Sequence, residues 1–261
     1  MGYKMVDFVG AGPGAEDLIT VRGMKLLQEA DCVIYAGSLV NPGLLSYTGE
    51  NCAVYNSATM HLEEVLGVIE EMEAKGKHTV RLHTGDPSLY GAIREQIDAL
   101  RMRGISYRIC PGVSSFCGAA AALSAEYTLP GVSQSVIITR MEGRTSVPER
   151  EKLHRLAVHG ATMVLFLSSG MTAKVQEELL QGGYQGETPC AIVYKATWEE
   201  EKVIRGRLCE LCKLAEENQI TKTALIVVGD VLGEDYELSK LYDKHFETGY
   251  RTAAGTGAEE S

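Results

Sequence analysis

The chain of 261 residues carries 35 acidic against 25 basic side chains, a formal net charge of -10, and is 45% hydrophobic and 23% charged. That length suits one large domain or two of moderate size with a sizeable core, and the negative balance opposes nucleic acid and anionic membranes as partners, because such binding rests on Lys and Arg neutralising phosphates. No apolar stretch approaches the ~20 residues that span a bilayer, Met1 to Met5 run into a strand without a signal-peptide profile, and the seven scattered cysteines fit reduced thiols, so a cytoplasmic protein is expected.

In chain order, Val6-Asp7-Phe8-Val9 reads as a short strand closed by Gly10-Ala11-Gly12-Pro13-Gly14. Thr20 reads as the N-cap of a helix with Val21, Met24, Leu27 and Ala30 on one face, followed by the strand Cys32-Val33-Ile34-Tyr35. Cys52-Ala53-Val54-Tyr55 is a third strand, and 61–74 is helical by the spacing of Leu62, Val65, Leu66, Ile69 and Met72. The apolar run Thr79-Val80-Arg81-Leu82 then leads into Thr84-Gly85-Asp86-Pro87-Ser88-Leu89-Tyr90-Gly91. Here glycine permits a turn, Asp86 is expected to cap a helix over 88–103, and Pro87 is expected at its first position. A phosphate cradle leaves its helix N–H groups free, so a capping carboxylate points to a different ligand. A strand at 106–110, the loop Pro111-Gly112-Val113-Ser114-Ser115 and a small-residue helix through Ala119-Ala120-Ala121-Ala122 follow; glycine and alanine permit close approach of a helix or a flat ligand.

Beyond Pro130-Gly131, Ser135-Val136-Ile137-Ile138 reads as a strand, and Thr145-Ser146-Val147-Pro148-Glu149 as a helix start with Ser146 and Glu149 at capping-box spacing. Strands at 162–167, 191–194, 202–204 and 224–229, a helix over 172–180 and a helix bearing Cys209 and Cys212 complete the pattern. Strands alternating with helices predict an α/β protein with mixed, mostly parallel sheets. Two α/β domains are expected, 1–118 and 119–250, and 251–261 is expected to be a disordered tail.

Gly10-x-Gly12-x-Gly14 invites a dinucleotide reading, but the third glycine comes two residues after the second, Pro13 lacks an N–H, and the second strand ends Ile34-Tyr35-Ala36-Gly37 without the ribose-binding acid. These departures oppose NAD or FAD. There is no G-x-S-x-G elbow, and the six histidines show no metal spacing. Cys209 and Cys212 lack a second pair and fit one helix face, so no protein-bound metal is expected. His83, immediately before the central loop, is a candidate site residue, whereas His154 and His159 read as solvated or as helix-dipole partners. Arg140, Arg144, Arg150, Lys152 and Arg155 form a basic patch interleaved with Glu142, Glu149 and Glu151. Two readings stand: a solvated helix start, or Arg140 and Arg144 gripping carboxylates of an anionic substrate.

Three motifs stand in order: Val9-Gly10-Ala11-Gly12-Pro13-Gly14 with Leu18 and Thr20 behind it, Gly85-Asp86-Pro87-x-x-Tyr90-Gly91, and Pro111-Gly112-Val113-Ser114-Ser115. Together they resemble the tetrapyrrole methylases, S-adenosylmethionine-dependent enzymes acting on uroporphyrinogen, precorrins and, in one branch, diphthine precursors. The resemblance covers about residues 5 to 233. Tyr35-Ala36-Gly37-Ser38-Leu39-Val40, Ser57-Ala58-Thr59-Met60 with Leu62-Glu63-Glu64, the run Thr139 to Glu149, and Ser239-Lys240-Leu241-Tyr242-Asp243 are similar to the precorrin-4 C11-methyltransferase branch. The resemblance implies a homodimer of two-domain α/β subunits that methylates C11 of precorrin-4 or its cobalt form in corrin-ring biosynthesis, with the donor in a ligand cleft between the two domains. Alternatives are another precorrin or uroporphyrinogen III as substrate, a non-catalytic tetrapyrrole-binding module, or a nicotinamide enzyme.

By the same resemblance, donor contacts fall on Pro13, on Gly85, Asp86 and Leu89, on Ser114 and Ser115, and on Leu167, Ala196, Thr223 and Ala224. Asp86 would complement the cationic donor, and a trough including Arg140 and Arg144, with His83 as a further candidate, would receive the carboxylates of the macrocycle.

Overall fold

The computed structural model describes residues 5–239, 246, 247, 249 and 250. The similarity noted at Lys240 to Asp243 and the tail at 251–261 lie outside these residues. The chain divides into two compact units, one of residues 1–124, 192–204 and 220–225, the other of 125–191, 205–219 and 226 onward. The expected domains followed chain order; these units do not, because the first takes two later segments.

The first unit holds a sheet of β1 (Val6–Gly10), β2 (Cys32–Tyr35), β3 (Ala53–Asn56), β4 (Thr79–His83) and β5 (Tyr107–Cys110) in the order β3-β2-β4-β1-β5. All four pairings are parallel. Between the strands run α1 (Val21–Gln28), α2 (Leu62–Ala74) and α3 (Ile93–Met102), and α4 (Ser115–Leu123) follows β5. The strand side chains alternate between two apolar layers, as period 2 requires. Phe8 and Ile34 pack with Val65, Ile69, Ile97 and Leu100 of α2 and α3, while Val9, Val33, Val80 and Leu82 pack with Leu26 and Leu27 of α1. Thr20 caps α1 as expected, its hydroxyl accepting the Gly23 N–H at 3.0 Å.

This arrangement marks a candidate site. The chain leaves β1 through α1 on one face towards β2, and leaves neighbouring β4 through α3 on the other face towards β5. Where successive connections diverge in this way, the carboxyl edge of a parallel sheet opens into a crevice.

The second sheet contains β6 (Val136–Arg140), β7 (Thr162–Phe166), β8 (Pro189–Tyr194), β9 (Lys202–Arg207) and β10 (Ala224–Val228) in the order β6-β7-β10-β8-β9. It is mixed: β6 and β7 are parallel, β7 and β10 antiparallel. The remaining helices are α5 (Leu153–Ala157), α6 (Thr172–Gln181) and α7 (Leu211–Glu217). Among the described residues no helix is long and apolar enough to cross a membrane, and no cluster of three His, Cys, Asp or Glu could hold a metal ion. All seven cysteines are free, and exposed Cys209 lies in the short turn before α7.

Two helix starts differ from expectation. No helix begins at Ser88: α3 starts at Ile93, after Tyr90 (φ 56°) and Ala92 (φ 49°) in the left-handed region. The chain between Pro87 and Ala92 is instead a folded turn so tight that a Cβ on Gly91 would lie 2.2 Å from the Pro87 carbonyl oxygen. Asp86 therefore does not cap α3 and Pro87 is not its first residue. Likewise Ser146 and Glu149 form no capping box. The Arg140 guanidinium donates to the carbonyls of Thr145 and Ser146, Glu149 pairs with Lys152 and Arg155, and only a short turn at Glu149–Glu151 precedes α5.

At the amino edge of the first sheet, Asp7 is fully buried. Its carboxylate accepts from Arg108 Nε at 2.6 Å and Nη2 at 2.9 Å, and meets His78 Nε2 at 2.7 Å. Burial alone would raise the Asp7 carboxyl, but the hydrogen bonds from His78 and Arg108 outweigh it and hold it below the usual range.

Candidate functional site

Three glycines stand at the carboxyl edge: Gly10 ends β1, and Gly85 and Gly112 come two residues after β4 and β5. A Cβ on Gly10 would lie 2.5 Å from Gly112 Cα and 2.6 Å from the Gly85 oxygen, and a Cβ on Gly112 only 2.2 Å from that oxygen. No side chain fits at either position, so the loops after β1, β4 and β5 approach backbone to backbone. Gly85 N–H donates to the Gly12 carbonyl at 2.8 Å and Gly12 N–H donates back at 3.3 Å, with left-handed φ of 59° and 83°.

Asp86 ties this edge together. Its Oδ2 accepts the Gly112 N–H at 2.8 Å, and its Oδ1 accepts the Ser88 N–H at 2.8 Å together with the Ser88 hydroxyl. Burial pushes the carboxyl up, but the bonds from Ser88 and from the Gly112 N–H overcome that push and lower it, so a carboxylate stands at the crevice at neutral pH. The Leu89 N–H donates to the Asp86 carbonyl at 3.2 Å. Buried Ser114 is the N-cap of α4, and the Ser115 hydroxyl lies 3.3 Å from where a Gly85 Cβ would stand.

The segment after β8 closes on the first loop. The Thr197 hydroxyl accepts the Ala15 N–H at 3.0 Å, and Trp198 Nε1 donates to the Pro13 carbonyl at 3.1 Å. The Lys195 N–H donates to the Thr223 carbonyl at 2.9 Å, and Ala196 and Ala224 are buried. Lys195, Thr197 and Thr223 all hold left-handed φ, of 47°, 68° and 57°. Such residues cost free energy, and they concentrate where a structure positions ligands.

Thus Pro13, Gly85, Asp86, Leu89, Ser114, Ser115, Ala196, Thr223 and Ala224 all belong to the first unit. Leu167, left-handed at φ 52° and 64% exposed after β7, belongs to the second, as do Arg140 and Arg144. Thr197 and Trp198 also hold this candidate site together, although no sequence motif singles them out. A lone tryptophan just past a strand was the available signal.

His83 departs from the expected trough. It is 4% exposed and stacks on Phe8, ring centroids 5.9 Å apart. Burial, and then the charge of Arg81, push its imidazole down to about 3, so it is neutral and interior, with Nε2 unpartnered among the described residues. In the other unit, Arg140 donates to the carbonyls of Met141, Thr145 and Ser146 and so holds the 141–146 loop. Arg144, on that loop, is exposed and has no side-chain hydrogen bond or ion pair among the described residues.

The family model of the tetrapyrrole (corrin/porphyrin) methylases matches residues 5–212. A cobalt-precorrin-4 C(11)-methyltransferase of Methanocaldococcus jannaschii is 55% identical over 249 residues, covering 95% of this chain and 96% of the relative. A precorrin-4 C(11)-methyltransferase of Mycobacterium tuberculosis is 44% identical over 239 residues, covering 91% and 95%. The X-ray structure of a cobalamin biosynthetic enzyme, cobalt precorrin-4 methyltransferase, matches with a TM-score of 0.86 at 48% identity, covering 88% of this chain and 96% of that one. The chain belongs to the tetrapyrrole methylases.

Proposed function

We propose that this protein is an S-adenosylmethionine-dependent methyltransferase acting at C11 of cobalt-precorrin-4 in cobalamin biosynthesis, as a cytoplasmic homodimer. The observation that carries the reading is the 55% identity, over 95% of the chain, to a relative named for that reaction. The cobalt form is favoured over metal-free precorrin-4 because the relative named for it is the more similar, 55% against 44% identical.

The crevice fits the donor. A carboxylate held ionised by Ser88 and Gly112 suits a cationic sulfonium, and the Gly12, Gly85 and Gly112 N–H groups are already taken within the loops rather than left free for a phosphate. Pro13, Gly85, Asp86, Leu89, Ser114, Ser115, Ala196, Thr223 and Ala224 would hold the donor on this unit. Bound there, S-adenosylmethionine supplies an electrophilic methyl group, so the protein's work is alignment of that methyl with a nucleophilic ring carbon rather than covalent catalysis. Arg140 orders the 141–146 loop, and Arg144 at its tip would pair with macrocycle carboxylates.

Mass spectrometry of the purified protein tests the reading. Bound S-adenosylhomocysteine, or its saturable uptake on addition, is the expected result; a retained pigment without any affinity for the nucleoside would favour a tetrapyrrole carrier.

A further inference from the structure

We infer that Trp198 and Thr197 are positioning residues that set the conformation of the 11–15 loop, and through it the affinity for the methyl donor; the inference rests on the donor site proposed above. Pro13, the expected donor contact in that loop, lacks an N–H, so its own backbone can be anchored only through its carbonyl. That carbonyl accepts Trp198 Nε1–H at 3.1 Å. Two residues on, the Ala15 N–H is taken by the Thr197 hydroxyl at 3.0 Å. The loop is thus held on both sides of Gly14 by adjacent side chains of one distant segment.

Shape enforces the same register. A Cβ on Gly14 would lie 2.1 Å from Trp198 Cδ1, so the indole occupies the space that any side chain at 14 would need. A Cβ on Gly118 would lie 2.9 Å from Pro13 Cβ and 3.2 Å from Thr197 Cγ2, so α4 also presses on this junction with no room to spare. Lys195 Nζ lies 5.1 Å from the centre of the Trp198 ring, which fixes the face of the indole opposite a cation. The left-handed backbone at Thr197, φ 68°, aims its hydroxyl at Ala15 and is retained although threonine disfavours that conformation.

The test is calorimetric titration of the full chain with S-adenosylhomocysteine, alongside melting temperatures without ligand. Trp198→Phe, which keeps the ring and loses the donor, is expected to bind about tenfold more weakly, the scale of one lost hydrogen bond. Thr197→Val is expected to weaken binding several-fold, and Thr197→Ser, which restores the hydroxyl, to return affinity to within twofold of wild type. Melting temperatures within about two degrees of wild type in these variants separate positioning from general damage. Wild-type affinity in both Trp198→Phe and Thr197→Val, or a Thr197→Ser variant as weak as Thr197→Val, would overturn the inference. Absence of binding by the wild-type chain would instead remove the donor site itself, and the inference with it.

Discussion

The Asp86 carboxylate accepts the backbone N–H of Gly112 at 2.8 Å, so one side chain from the loop after β4 fixes the loop after β5. The charge that suits a sulfonium is therefore also a fastener. Asp86→Ala removes both and is expected to weaken donor binding at least tenfold by calorimetry, whereas Asp86→Asn keeps an oxygen for Ser88 and is expected to lose less. Unchanged affinity in both variants would deny Asp86 a part in the site.

Gly112 permits no substitution. The 2.2 Å separation between its would-be Cβ and the Gly85 oxygen is backbone against atom of a rigid loop, with no rotamer to relieve it. Gly112→Ala is expected to destabilise the fold by about 2 kcal/mol, as overpacking does, and to abolish donor binding; thermal denaturation with and without S-adenosylhomocysteine reads both effects.

Stability should depend on pH through Asp7 and His78. The Asp7 carboxyl is lowered in the fold, so its contribution is present above its unfolded value of 3.8 and is lost as pH falls through the folded value. His78 is raised, first by its hydrogen bond to Asp7, so its contribution is full below 6.5 and is lost as pH rises through the folded value. Denaturant titrations are expected to show greatest stability between about pH 4 and 6.5 from this cluster. Asp7→Ala leaves Arg108, half-exposed, to solvent, and is expected to flatten this pH dependence.

Arg140 and Arg144 should separate by experiment. Arg144→Ala is expected to raise KM for the tetrapyrrole several-fold with an unchanged melting temperature, because Arg144 has no side-chain partner among the described residues. Arg140→Ala also frees the Thr145 and Ser146 carbonyls and is expected to lower the melting temperature as well. Unaltered kinetics in Arg144→Ala would leave the basic patch a solvated face.

The layered α/β pattern was legible because local signals agreed with packing: the Thr20 cap, and the Leu62 to Met72 spacing that α2 buries against Phe8 and Ile34. The ordered glycine motifs are legible because Gly10 and Gly112 leave no room for a Cβ and Gly85 holds a left-handed φ. What escaped reading was non-local or backbone-borne. Left-handed Tyr90 and Ala92 delay α3 with no residue type to announce them. The capping box at Ser146 lost to a guanidinium six residues upstream. Thr197 meets Ala15 across 182 residues of sequence, a separation that no local pattern spans.

The central claim is tested most directly by incubating the protein with methyl-labelled S-adenosylmethionine and cobalt-precorrin-4, with metal-free precorrin-4 in parallel, and locating the label in the product by NMR. One labelled methyl at C11, formed faster from the cobalt substrate, is the expected result. Label at another ring position, or none transferred to either substrate by protein that binds the donor, would contradict it.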